Sequence, residues 1–169
     1  MSFDTDYTFL MNNEDRSQSH AIVPDAPPGA HAISGINSAA FPTDFANIAA
    51  IPQSQRGPAV EQFYKTHFWN SWMNQISSDD VAERLLDAGV NMGLKTAVKL
   101  IQTAVTNLGN TVVIDGGFGP GTLAAVNSCD PTALVAEFRS LRIAHYEAIV
   151  ASNPEDAQYE AQWLKRARE

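Results

Sequence analysis

The sequence predicts a mainly α-helical single domain of 169 residues with one irregular N-terminal lobe. Three observations carry that expectation. Apolar residues recur at helical spacing through most of the chain after residue 57. Asp130-Pro131 and Asn153-Pro154 are helix-start signals, each a capping residue followed by proline at the first helical position. Five of the nine prolines (Pro24, Pro27, Pro28, Pro42 and Pro52) fall between residues 21 and 57, where they exclude one long helix.

Taken in order, residues 4–14 read as a short helix with Tyr7, Leu10 and Met11 on one face and Glu14 at its C-terminal end. Residues 21–57 read as a long ordered loop holding a short hairpin, then a short helix near residues 43–50. Loops of this length in a compact domain are functional or disordered. The apolar Ile22, Val23, Ile33, Ile36, Phe41 and Phe45 imply packing, which favours function. Val60, Phe63, Tyr64, His67 and Phe68 place a helix over residues 58–70. Ser77-Ser78-Asp79-Asp80 resembles a capping box with Asp in the Glu position. It opens a helix carrying Val81, Leu85, Ala88 and Gly89. Gly93 begins the next, through Val98, Ile101, Gln102 and Val105 to a stop at Gly109. The helix after Asp130-Pro131 lines up Leu134, Phe138, Leu141 and His145, and the last helix carries Trp163. There is no internal repeat.

Composition bounds the function. Hydrophobic residues at 44% and charged residues at 18% are ordinary for a soluble globular chain. A chain of this length buries roughly 70% of its unfolded surface. The one cysteine, Cys129, excludes an intrachain disulfide and a thiol zinc site, and no base is evident beside it. The four histidines (His20, His31, His67, His145) show no metal-ligand spacing, so neither metal nor cofactor is implied. Eleven Lys+Arg against nineteen Asp+Glu give a net charge of −8, and Lys165-Arg166-Arg168 is the one basic cluster. That balance argues against nucleic acid as a partner. It also gives no long-range attraction to an anionic wall, so recognition there would rest on a shaped groove. The N-terminus lacks the basic start and apolar stretch of a secretory signal, and no apolar run approaches the ~20 residues of a membrane helix. The expectation is cytoplasmic synthesis, no membrane insertion and a monomer.

Glu14 stands where a helix runs into a polar loop, within Asn12-Asn13-Glu14-Asp15-Arg16-Ser17. Glycoside hydrolysis needs one protonated carboxyl, and commonly a second carboxylate to activate water or act as nucleophile. Asp25, on a backbone stiffened by prolines, is the natural second group. The alternative reading of the pair is a surface glutamate and a turn aspartate.

Several blocks resemble glycoside hydrolase family 108, small muramidases of phages and bacteria. Phe9-Leu10-Met11-Asn12-Asn13-Glu14 matches the family's helix and glutamate, and Gly35-Ile36 the end of its active-site loop. Phe63–Trp69 resembles its Tyr-x-x-x-Tyr-Trp segment, and Leu86–Gly93 its Phe-Asp-x-x-Val-Asn-x-Gly segment. The likeness continues through Ala97–Gln102, Asp115–Thr122, Arg139–Tyr146 and Trp163–Arg166. The Asp115–Thr122 block, Asp-Gly-Gly-Phe-Gly-Pro-Gly-Thr, is also familiar from helical peptidoglycan-binding modules. By spacing alone it is a structural turn plus helix cap.

The departures lie near the glutamate. Asp15-Arg16-Ser17 replaces Gly-Gly-Tyr, and Ala32 or a neighbour stands at the family's threonine. The resemblance implies a lysozyme-like fold with residues 1–57 as catalytic lobe and residues 58–169 as helical body, residues 93–169 resembling a peptidoglycan-binding part. It implies hydrolysis of the β-1,4 bond between N-acetylmuramic acid and N-acetylglucosamine, with Glu14 as acid and Asp25 as partner. His31, Ser34, Tyr64, Trp69, Asp87 and Asn91 would line the sugar groove. Aromatic residues at helical spacing, as Tyr64 and Trp69 are, are more often core, and Asp87 with Asn91 is equally readable as a buried polar bridge. The setting would be a phage endolysin, prophage product or toxin delivered to the wall by another system. An inactive wall-binding or phage- or secretion-apparatus component is the rival reading.

Overall fold

The computed structural model describes residues 3–168, with the side chains of residues 4 and 5 undescribed. It is mainly helical, with one small sheet. The chain divides into two compact units, one running to Asn70 and one beginning at Ser71.

The N-terminal unit opens with α1, Phe3–Glu14. Phe3, Asp6, Leu10 and Met11 are buried along it, at the i, i+3, i+7, i+8 spacing of one helical face. The predicted hairpin is there and gains a third strand. β1 (Ile22–Asp25), β2 (Ala30–Ile33) and β3 (Ile36–Asn37) pair antiparallel in that order, with Ile22 opposite Ile33 and Ile33 opposite Ile36. The two-residue connection between β2 and β3 is Ser34-Gly35, with φ of +47° and +81°. Positive φ at both central residues is the signature of the turn that matches strand twist, and glycine at the second makes it accessible. α2 (Pro42–Ala49) follows with proline at its first turn, and α3 (Gly57–Phe68) closes the unit. Ile33, Ile36, Val60 and Tyr64 are almost fully buried in its core.

The C-terminal unit holds α4 (Asp79–Met92), α5 (Leu94–Asn107), α6 (Pro120–Ser128), α7 (Pro131–Ser152) and α8 (Ala157–Arg168). α5 ends as the sequence predicts. Gly109 takes φ +91°, its N–H donates to Thr106 O and that of Asn110 to Val105 O, the paired bonds of a Schellman end. Asp130 caps α7 through a 2.8 Å bond from Ala133 N to its Oδ1. Two start signals behave differently from expectation. The helix begins after Ser78, which makes no side-chain cap bond, while the hydroxyl of Ser77 donates instead to Asn127 Oδ1. Asn153-Pro154 starts a short 3-10 turn, Pro154–Asp156, and α8 begins only after it.

The buried face of α7 is also turned one residue from the expected one. Leu134, Val135, Phe138, Arg142 and Tyr146 point inward, whereas Leu141 and His145 are half-buried. The reason is electrostatic. Asp87 on α4 is 2% exposed and takes Arg142 Nη2 on one oxygen and Arg166 Nε on the other, both at 2.8 Å. An arginine paired this way is as much a core residue as a leucine, which hydrophobic periodicity cannot register.

Candidate functional site

Glu14 closes α1 half-buried, and its carboxylate lies against the β2–β3 turn. Any β-carbon at residue 35 would sit 3.0 Å from Glu14 Cδ, closer still to its Oε2, and 2.7 Å from the Tyr64 hydroxyl. Gly35 is therefore required twice over, by its positive φ and by the carboxylate and phenol packed onto it. Tyr64 holds the same turn from α3, its hydroxyl donating to Ser34 O at 2.6 Å. Tyr64 is 1% exposed, so this is a buried anchor and not an open stacking platform.

The Ser34 side chain is fixed from the other direction. Its hydroxyl donates to Asp15 Oδ2 at 2.9 Å and lies 2.8 Å from His20 Nδ1. Because the hydroxyl proton goes to Asp15, the oxygen accepts from His20, which assigns the proton to Nδ1. His20 donates to this serine, so the trio cannot work as a nucleophilic triad, in which histidine must accept the serine proton. It is a brace. Asp15 also accepts from the backbone N–H groups of Ser19 and His20 and from the Ser17 hydroxyl. Burial pushes its carboxyl up, but these hydrogen bonds outweigh burial and hold it below its ordinary 3.8.

Arg56, itself 7% exposed, ties the segment down by donating to the carbonyls of His20, Ala49 and Ile51. Tyr7 stacks on Phe3 and tilts against Tyr64. Its phenol is raised well above the usual range by burial first, then by the charges of Glu61 and Asp15. It stays neutral at any physiological pH.

The remaining sequence-nominated residues fall in different places. Asp25 is exposed at the end of β1, its Oδ2 accepting from Asn37 Nδ2 at 2.7 Å and its Oδ1 from Ala26 N. His31 is exposed on β2, opposite Pro24. Ser34 is 5% exposed and serves the brace just described, and Trp69 is buried at 7%. Asp87 and Asn91 belong to the other unit. Asp87 is the double arginine partner on α4. Asn91, with its amide turned so that both ends are satisfied, donates to the Tyr146 hydroxyl at 2.9 Å and accepts from Arg166 Nη1 at 3.1 Å. Tyr146 in turn stacks on Trp163 at 5.4 Å. This is the polar bridge foreseen as the alternative for the pair. Losing the Asp87 end of it would remove the buried carboxylate that Arg142 and Arg166 share, a defect of about 3–5 kcal/mol.

Asp15, His20 and Arg56 were not singled out as site residues from the sequence. The signal was faint: an Asp followed by Ser17, Ser19 and His20 reads as any polar turn until Ser34 is brought to Asp15 from nineteen residues on.

The Asp115–Thr122 block is organised by a side chain the sequence placed on the apolar face of α5. Gln102 is fully buried, and its Nε2 donates to Asp115 Oδ1, Gly117 O and Thr122 Oγ1, while its Oε1 accepts from Gly116 N. One amide thus sets a turn and the start of α6.

Residues 96–168 match the model of a family described as a "predicted peptidoglycan domain". The matched segment contains the Gln102 amide, the Asp115–Thr122 turn and the whole of α6 and α7. It covers less than half of the chain, and Glu14 lies outside it. Over 99% of its length the chain is also similar to SagA of Brucella abortus, with a TM-score of 0.59, 20% identity and 96% of that chain covered. At that identity the likeness is one of fold. No curated protein matches the sequence significantly. Among the described residues no group of His, Cys, Asp and Glu could hold a metal ion, and no helix is long and apolar enough to cross a membrane.

Proposed function

We propose that this protein acts on bacterial peptidoglycan as a muramidase, cleaving the β-1,4 bond between N-acetylmuramic acid and N-acetylglucosamine with Glu14 as the proton donor. The observation that carries the reading is the seat of the Glu14 carboxylate at a helix end, half-buried against a glycine that leaves room for nothing else. A general acid needs a fixed direction, and a braced turn supplies it. The peptidoglycan-domain match over residues 96–168 supports peptidoglycan as the partner.

Asp25 is the candidate second carboxylate in this reading. Its lone pairs already serve Asn37 and Ala26, so its part would be to steer a water rather than to attack the sugar. That engagement, with Ala32 or a neighbour standing where the resembling family has threonine, favours the second reading: a non-hydrolytic peptidoglycan binder or a component of a phage or secretion apparatus.

Turbidity of a purified peptidoglycan suspension, followed by analysis of the released fragments, separates them. The parent should clear the suspension and release disaccharide-peptides with reducing muramic ends. Glu14→Gln should fold normally and lose at least about a hundredfold in rate, the scale of one general acid. A variant that lyses like the parent removes Glu14 from the mechanism. A parent that binds sacculi and releases nothing leaves the second reading.

A further inference from the structure

The segment between α5 and the Asp115 turn is built in a way that neither the core nor the Gln102 cassette explains. Thr111, Val112, Val113 and Ile114 are four β-branched residues in succession, a composition that favours extended backbone. They are nevertheless outside any sheet, with Val113 74% exposed and Ile114 46%. None of their backbone N–H or C=O groups pairs with another backbone group among the described residues. Such a strip is a template for strand addition.

Beside it lies a cleft of about 430 Å³, lined by Thr111, Val112, Val113 and Asp115 on one side and Gly119, Gly121 and Thr122 on the other. That volume lies within the ~300–1,000 Å³ range of small-ligand sites. A β-carbon at Gly119 or Gly121 would meet nothing within 4 Å, so the two glycines leave the far wall open. The lining is methyl-rich and holds no aromatic ring, which a sugar platform would need. Charge of both signs is at hand: Asp115 in the cleft, and Lys95 and Lys99 of α5 packed against Gly116.

We infer that this cleft is a binding site for the stem peptide of peptidoglycan, which pairs its backbone with residues 111–114 and seats its alanine methyls between the valines and the two glycines. The inference rests on the protein being wall-directed, but not on Glu14 or on glycan hydrolysis. The ligand chemistry is a short, alanine-rich, zwitterionic peptide. Its ammonium group suits Asp115 and its carboxylates suit the two lysines. A folded protein partner would need a far larger surface than this cleft offers.

The test uses the full chain and two probes, the stem tetrapeptide (Ala, D-Glu, diaminopimelate, D-Ala) and the tetrasaccharide of N-acetylglucosamine, followed by amide shift perturbation. The tetrapeptide should move the amides of Val112, Val113, Ile114, Gly119 and Gly121, and the tetrasaccharide should leave them in place. Val113→Asp and Gly121→Leu should each weaken the tetrapeptide at least tenfold with the melting temperature unchanged, since both positions face open space. The inference falls if the tetrapeptide leaves these amides unmoved at millimolar concentration, or if both variants bind like the parent. It falls equally if the tetrasaccharide moves the same amides, or if the chain dimerises through them. Because neither probe needs to be hydrolysed, a lysis-negative parent overturns the muramidase reading and leaves this result standing.

Discussion

Asp15 shows how a single residue can be misread from its neighbours. In the sequence it is a departure, an acid where the resembling family has glycine beside its glutamate. In the structure its carboxylate accepts two backbone N–H groups and two hydroxyls, and through Ser34 it fixes the turn that backs Glu14. Its effect on stability has a definite sign with pH. Because its folded carboxyl titrates below the ordinary 3.8, its contribution is fully present above that value and is lost as pH falls through the depressed one. Urea midpoints for parent and Asp15→Asn should therefore differ most above about pH 5 and converge toward pH 2–3. A constant gap across that range would mean the ionised carboxylate does not provide the brace. The place of Glu14 at the end of a helix was readable, since the helical pattern stops there before a proline-rich loop. Its contact with Gly35 was not, because positive φ and cross-loop packing leave no periodic trace.

At the scale of elements, the starts and stops that depend on local chemistry were readable, and those that depend on a distant partner were not. The Gly109 stop and the Asp130 cap are closed by groups within a few residues, so the sequence contains them whole. Ser77 was drawn away from capping by Asn127, fifty residues on, and α7 was rotated by Asp87, fifty-five residues back. The same contrast decides the Asp115–Thr122 block. Sequence spacing gave a turn and a cap; the structure adds that one buried amide makes both. Gln102→Leu roughly keeps the volume but strands Gly116 N and leaves Gly117 O and Thr122 Oγ1 with only the bond between them. An orphaned buried group costs roughly 1–3 kcal/mol, less whatever water can re-enter, so the variant should lose about 1–3 kcal/mol. Asp115→Ala removes one partner at an exposed site and should lose less. Chemical denaturation of the two variants compares them directly. A Gln102→Leu protein as stable as the parent would show that the turn assembles without the amide.

The molecule as a whole carries a net charge of −8, and the wall it is proposed to act on is anionic as well. The obvious basic contact would be Lys165-Arg166-Arg168 on α8. Arg166 is already committed to Asp87, through a bond from its Nε. Attraction between that cluster and a phosphate or carboxylate polymer would compete with a core ion pair, so wall association has to come from shape and short-range contacts. The consequence is an unusual salt dependence. Repulsion between like-charged bodies is screened as the Debye length falls from about 30 Å at 0.01 M to about 8 Å at 0.15 M. Pelleting with purified sacculi should therefore retain as much protein at 0.15 M salt as at 0.01 M, or more. Binding through a cationic patch would do the reverse, weakening as screening removes the attraction. A marked loss of pelleted protein at the higher salt would place Lys165 and Arg168 on the wall and make the acidic balance of the chain irrelevant to its recognition.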